Sequence, residues 1–112
     1  MSAEKALIMY SRTIPCPDCQ RARQLLEENA IPFEEIMIDL DPAARALVVQ
    51  LTGFLAVPTL VVARPNEREP LSPPKALEQG RSPRGIDRGP VSTEPDMISL
   101  RSWLTGHGFL VG

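Results

Sequence analysis

Cys16 and Cys19 stand three positions apart, with Pro17 and Asp18 between them, and no other cysteine occurs in the 112 residues. Two thiols at this spacing either cycle between dithiol and disulfide or supply half of a zinc site. Pro17 suits the first turn of a helix, so the pattern predicts Cys16 just before a helix and Cys19 one turn inside it. The unpaired N–H groups of that turn, with the positive end of the helix dipole, stabilise negative charge on Cys16 and lower its thiol pKa below the reference of about 8.5. The result is a nucleophile. Cys19, a turn away at a separation compatible with disulfide geometry, is placed to attack a mixed disulfide on Cys16 and release the product. Asp18 works against this activation because its carboxylate repels a thiolate, whereas Arg12 works with it if the loop folds back. Net activation is expected.

A zinc ion would need two further ligands, yet His107, in a Gly-His-Gly turn, is the only histidine. Metal within one chain is therefore disfavoured and no metal ligand is assigned. The loop closed by a Cys16–Cys19 bond is too short to constrain much of the unfolded chain, so stapling is a weak reason for the pair. Redox exchange is the favoured reading, with a metal half-site and a merely structural pair as the alternatives.

The elements that must hold these sulfurs follow from apolar spacing and end signals. Lys5 to Tyr10 reads as a short buried strand. Cys19, Ala22, Leu25 and Leu26 line one face of a helix from Pro17 to Asn29, on which Arg23 can pair with Glu27. Phe33 to Asp39 is a second strand. Asp41 before Pro42 is an N-cap, Leu47, Val48 and Leu51 form a stripe and Gly53 ends the run, which predicts a helix over 42–52. Thr59 to Ala63 is a third strand, with Pro58 at its start. Thr93 to Asp96 resembles a capping box, and Met97, Leu100, Trp103 and Leu104 give a helical face ending at Gly106. The order is strand-helix-strand-helix-strand, a long connection in which a fourth strand is sought near Ile86, then a helix.

That connection, at about 64–95, holds seven of the twelve prolines and eleven charged residues of both signs. Such a segment buries too little apolar surface to offset its chain entropy and is expected to be a long, partly mobile loop inserted in one domain of residues 1–112. With 12 Lys+Arg against 14 Asp+Glu the net charge is -2, which offers no general attraction for nucleic acid or anionic lipid. The apolar runs are far shorter than the roughly 20 residues that span a bilayer. The N-terminus lacks the basic and apolar regions of a signal peptide. A monomer in the cytoplasm, free of nucleic acid and membrane, is expected.

The segment Tyr10-Ser11-Arg12-Thr13-Ile14-Pro15-Cys16-Pro17-Asp18-Cys19-Gln20-Arg21-Ala22, then Leu25-Leu26, the strand at Phe33 to Asp39, and Ala56-Val57-Pro58-Thr59 before Leu60 together resemble a glutaredoxin. The resemblance covers about residues 5–63 and extends more loosely over 95–111. It implies an α/β thioredoxin-like fold with a central mixed sheet flanked by helices. It also implies Cys16 as nucleophile and Cys19 as resolving thiol, in agreement with the chemistry above. An X-Pro bond is cis in only about 5–6% of cases in folded proteins, so Pro58 taken alone reads as trans. The resemblance implies the opposite, a cis Pro58 facing the dithiol with the main chain of Val57 free to pair with an extended substrate.

For glutathione, the resemblance implies a basic residue shortly before the dithiol, matched by Arg12 with one extra residue in between, and the backbone beside Pro58. It also implies a Gly-Gly turn opening the last helix. Here Gly89-Pro90-Val91-Ser92-Thr93 stands instead, so helix-start donors near Thr93 and Asp96 are the expected substitutes. Glu94-Pro95-Asp96-Met97-Ile98 is similar to the corresponding stretch of glutaredoxin-like redoxins that are reduced by thioredoxin reductase and serve ribonucleotide reductase. The expected activity is reduction of protein or glutathione mixed disulfides, with glutathione as co-substrate and no bound cofactor. The reductase-fed redoxin is the alternative within the same chemistry. Alternatives of another class are a carrier with Cys16 from two chains and two glutathiones holding an Fe-S cluster, and a binding module that uses the long loop.

Several other residues have simpler readings. Trp103 is expected in the core. His107 is expected in a solvated turn, and Arg81, Arg84 and Arg88 in a solvated loop whose acidic residues bring it near neutrality. Tyr10 either packs or lines the dithiol cleft.

Overall fold

The computed structural model describes residues 5–76, 82 and 84–110. Its first element is the strand β1, Ala6–Ser11, followed by helix α1, Pro17–Glu28, strand β2, Glu34–Met37, and helix α2, Pro42–Thr52. Strands β3, Thr59–Ala63, and β4, Val91–Thr93, precede helix α3, Met97–Gly106. The strands form one mixed sheet in the order β2-β1-β3-β4. β1 runs parallel to β2 and antiparallel to β3, which is antiparallel to β4. This is the thioredoxin-like architecture expected from the sequence.

β1 and β3 are buried almost throughout and apolar except at Ser11 and Thr59, because both faces of the sheet are covered. Alternate residues point to opposite faces: Leu7 and Met9 of β1 pack with Leu26 of α1 and Leu100 and Trp103 of α3, and Ile8 and Tyr10 pack with Ala44 and Val48 of α2 and with Cys19. The helices start and stop where their end residues require. The Asp41 carboxylate accepts from Ala44 N–H at 3.0 Å ahead of Pro42. Gly53, at φ 81, closes α2 in the left-handed region and donates its N–H to the Val49 carbonyl. Both carboxyls that cap helices, Asp41 and Asp96, are held below the usual carboxylate range. Asp41 is lowered chiefly by the Arg68 guanidinium and Asp96 by backbone donation from Ser99.

Four expectations need correction. The fourth strand is Val91–Thr93 rather than a segment near Ile86. Thr59 pairs with Thr93 and Val61 with Val91, and that ladder takes the residues the capping-box reading gave to the helix. The N-cap of α3 is accordingly Asp96, whose carboxylate accepts from Ser99 N–H at 2.7 Å. Arg23 reaches across to Glu35 of β2 rather than along α1 to Glu27, through two hydrogen bonds in the fork geometry that a guanidinium offers a carboxylate. That partner holds the Glu35 carboxyl below its ordinary range. His107 is not solvated: its Nε2 lies 2.8 Å from the Gly89 carbonyl and its ring meets Trp103 edge to face.

The insertion is also less free than expected. Among its described residues there is no regular element before β4, yet backbone bonds run from Leu71 N–H to the Val62 carbonyl at 2.9 Å and from Lys75 N–H to the Arg88 carbonyl at 3.1 Å. Arg88, read as solvated, is 6% exposed. It donates to the Lys75 carbonyl at 2.8 Å and to the Leu51 carbonyl, in the last turn of α2, at 2.6 Å. A cation at that position also suits the negative end of the helix. Trp103, buried as expected, donates its Nε1–H to the Gly89 carbonyl at 2.7 Å, so the insertion's last turn rests on α3. Arg81 lies outside the described residues.

Tyr10 is fully buried and its hydroxyl donates to the Arg68 carbonyl at 3.1 Å. Burial pushes its phenol up to about 12, while an unfolded tyrosine ionises near 10. The unfolded chain therefore loses this proton first, and stability falls as pH rises from about 10 to 12, by about 2–3 kcal/mol in total. We expect Tyr10→Phe to cost about 1 kcal/mol at neutral pH and to lose less stability than the wild type between pH 9 and 11. Urea midpoints at the two pH values measure the difference, and an equal alkaline loss in both proteins would contradict the assignment.

Candidate functional site

Cys16 and Cys19 are joined as a disulfide, with their Cα atoms 5.2 Å apart. Cys16 is the N-cap of α1, in extended backbone at φ -141 and ψ 98, and its Sγ accepts from Cys19 N–H at 3.2 Å. The sulfur thus takes the place that a serine or aspartate oxygen takes at an ordinary helix start. Pro17 follows at the first helical position, where no N–H is required. The two sulfurs differ in access: Cys16 is half-buried, whereas Cys19 is 1% exposed and packed among the residues between the sheet and α2.

The loop that presents Cys16 is tied down at its start. Thr13 donates its N–H and its hydroxyl to the Asp39 carboxylate just after β2, and the Thr13 hydroxyl is the main cause of that carboxyl's lowered pKa. On the other side, the Val57–Pro58 bond is cis, as the resemblance implied and the general preference did not. The Thr59 hydroxyl donates to the Ala56 carbonyl at 2.8 Å and Glu94 N–H donates to the Pro58 carbonyl at 2.7 Å, so the segment is clamped from both flanks. Neither the N–H nor the carbonyl of Val57 has a backbone partner among the described residues.

A cleft of about 630 Å³ opens over Cys16, with Arg12, Asp18, Arg21, Val57 and Glu94 in its wall. Of the residues proposed from sequence, Arg12, Cys16 and Val57 come together here. The Arg12 guanidinium donates to the Pro15 carbonyl at 3.3 Å, in the presenting loop itself. Thr93 does not join them. It is fully buried in β4, its hydroxyl 3.4 Å from that of Thr59, because the ladder to β3 turns it inward. Asp96 borders an adjoining hollow of about 560 Å³ with Arg84 and Met97, and its carboxylate is already engaged by its own helix.

Arg21, Arg84 and Glu94 were not singled out as site residues. Arg21 lies 2.9 Å from Asp18, and its spacing of three from that acid was a readable signal. Arg84 lies 3.8 Å from both Asp18 and Glu94. Nothing local in the sequence marks Glu94 as a cleft residue, since the long connection and β4 bring it there.

A family model described as glutaredoxin matches residues 7–64, which contain the dithiol, α1, α2 and the Pro58 segment. A glutaredoxin of Pseudomonas aeruginosa is 37% identical over 54 residues, covering 48% of this chain and 63% of that protein. Glutaredoxin 3 of Escherichia coli strain K12 is 34% identical over 47 residues, covering 42% of this chain and 57% of that protein. The chain thus matches roughly three fifths of the length of these relatives. The paired thiols at the start of α1, the cis bond between Val57, which lines the cleft, and Pro58, and a match over half of the sequence make this chain a member of the glutaredoxin family.

Proposed function

We propose that this protein is a thiol-disulfide oxidoreductase that reduces mixed disulfides of proteins or of glutathione. One observation carries the reading: an accessible sulfur at the first turn of α1 faces an open cleft, with a buried sulfur bonded behind it. In the reduced protein the Cys16 thiolate attacks a substrate disulfide, forming a mixed disulfide and releasing one substrate thiolate. The Cys19 thiolate then attacks Cys16 Sγ, restoring the intramolecular disulfide and releasing the second substrate thiolate. Two electrons pass from dithiol to substrate, and two thiols of glutathione, or a reductase, return them. The main-chain groups of Val57, without a backbone partner among the described residues, suit an extended substrate segment, and Arg12 suits a substrate carboxylate.

The capping of α3 favours a reductase as donor. Asp96 satisfies Ser99 N–H with its own carboxylate, so part of the helix start that could receive a glutathione carboxylate is taken. The test supplies a glutathionylated protein with glutathione as sole reductant and follows NADPH consumption through glutathione reductase, alongside a parallel assay with thioredoxin reductase. Turnover with glutathione supports glutathione dependence, and turnover with thioredoxin reductase alone supports the reductase-fed redoxin. Turnover with neither overturns the oxidoreductase reading.

A further inference from the structure

The rim of the cleft carries charges from four parts of the chain. Arg12 comes from the β1–α1 loop, Asp18 and Arg21 from α1, Glu94 from the turn after β4, and Arg84 from the insertion, beside the cleft. The segment between α2 and β3 contributes Phe54, Leu55, Ala56 and Val57, none of them titratable. Two carboxylates therefore border a site whose chemistry needs a sulfur anion, and uncompensated negative charge nearby disfavours that anion. Arg21 meets only one of them, Asp18. Arg84 meets both, at 3.8 Å each. Its place is set by backbone: residue 84 bridges to Thr93, and the next residue, Gly85, turns at φ 73 and donates its N–H to the Thr93 carbonyl at 2.8 Å. Glycine is suited to that left-handed turn.

We propose that Arg84 is a positioning residue for the thiol chemistry: by pairing with Asp18 and Glu94 together, it offsets part of the negative charge on the rim of the cleft and keeps Cys16 acidic enough to attack. The insertion is then a working part of the site, and Asp18, already paired with Arg21 of the same helix, is offset further by a cation from a distant part of the chain. Arg84 acts through the two carboxylates rather than by contact with sulfur or substrate. This rests on Cys16 being the attacking thiol.

The test measures the rate of iodoacetamide alkylation of Cys16 in the reduced full chain against pH at low ionic strength, with the modified cysteine identified by mass. Arg84→Gln is expected to raise the midpoint by about 0.3–0.5 of a pH unit, the scale of an exposed ion pair. Arg84→Lys, which keeps the charge, is expected to restore most of the shift. In an Asp18→Asn/Glu94→Gln background, where neither carboxylate is left to hold the exposed guanidinium beside the cleft, Arg84→Gln is expected to move the midpoint by less than half as much. An unmoved midpoint in Arg84→Gln overturns the proposal, as does an equal shift in the neutralised background. A wild-type midpoint no lower than that of free cysteine instead counts against the oxidoreductase reading, so the two failures are distinct.

Discussion

Cys16→Ser is expected to lower disulfide reduction by at least about a thousandfold, whatever the reductant. A serine hydroxyl does not ionise near neutral pH, and oxygen in place of sulfur cannot form the mixed disulfide on which both steps depend. The position is the N-cap of α1, and serine is among the best residues there, so the fold should lose little and the urea midpoint should stay close to that of the wild type. Cys19→Ser should behave differently. The first attack still occurs, but the buried thiol that would release the product from Cys16 is gone, so the covalent adduct accumulates and is visible by mass. An external thiol can still displace a small adduct, whereas a bulky protein adduct persists. The pair of variants therefore separates attacker from resolver. If Cys16→Ser retained turnover while Cys19→Ser lost it, the roles would have to be exchanged.

Arg88→Ala is expected to destabilise the fold by about 2–4 kcal/mol, the largest effect we anticipate from a residue outside the dithiol. The side chain is 6% exposed and holds the carbonyls of Leu51 and Lys75 at 2.6 and 2.8 Å. Alanine leaves two partly buried acceptors without this donor and opens a void beneath the insertion. Arg88→Lys should rescue little, because a single ammonium on a narrower stem does not reproduce the fork that reaches two separate carbonyls. Urea denaturation measures the loss, and faster proteolysis within residues 64–76 would show that the insertion has come away from α2. An Arg88→Ala protein as stable and as resistant as the wild type would contradict the role given to this cation.

The parts of this molecule that could be read from sequence are those whose signals are local. Asp41-Pro42 and Gly53 bound α2 at the predicted residues because cap, proline and left-handed glycine each act on their immediate neighbours. Cys16-Pro17 places the first sulfur at the mouth of α1 for the same reason. The position of β4 is not legible because three residues carry too little periodicity, and its partners lie thirty or more positions earlier in the chain. The Thr-x-x-Asp pattern at 93–96 offers two candidate caps, and long-range pairing with Thr59 decides between them. The glycines around His107 and the mixed charge around Arg88 point to solvent, yet both side chains meet carbonyls of the folded chain. The cleft charges divide the same way: Arg12 lies near the cysteines in sequence, while Arg84 and Glu94 arrive through tertiary structure.

The bridges that residues 84 and 87 make to Thr93 and Ser92 bear on how the borders of the sheet are guarded. A bare outer strand is a template on which another molecule can stack its own backbone, and the short β4 would have been such a template. Its flank is already partly occupied by the chain's own preceding segment. The opposite border of the sheet is β2, where the exposed Glu34 places charge on the margin. One border is blunted by covering and the other by repulsion, two separate guards against fibre-like growth built into a four-stranded sheet.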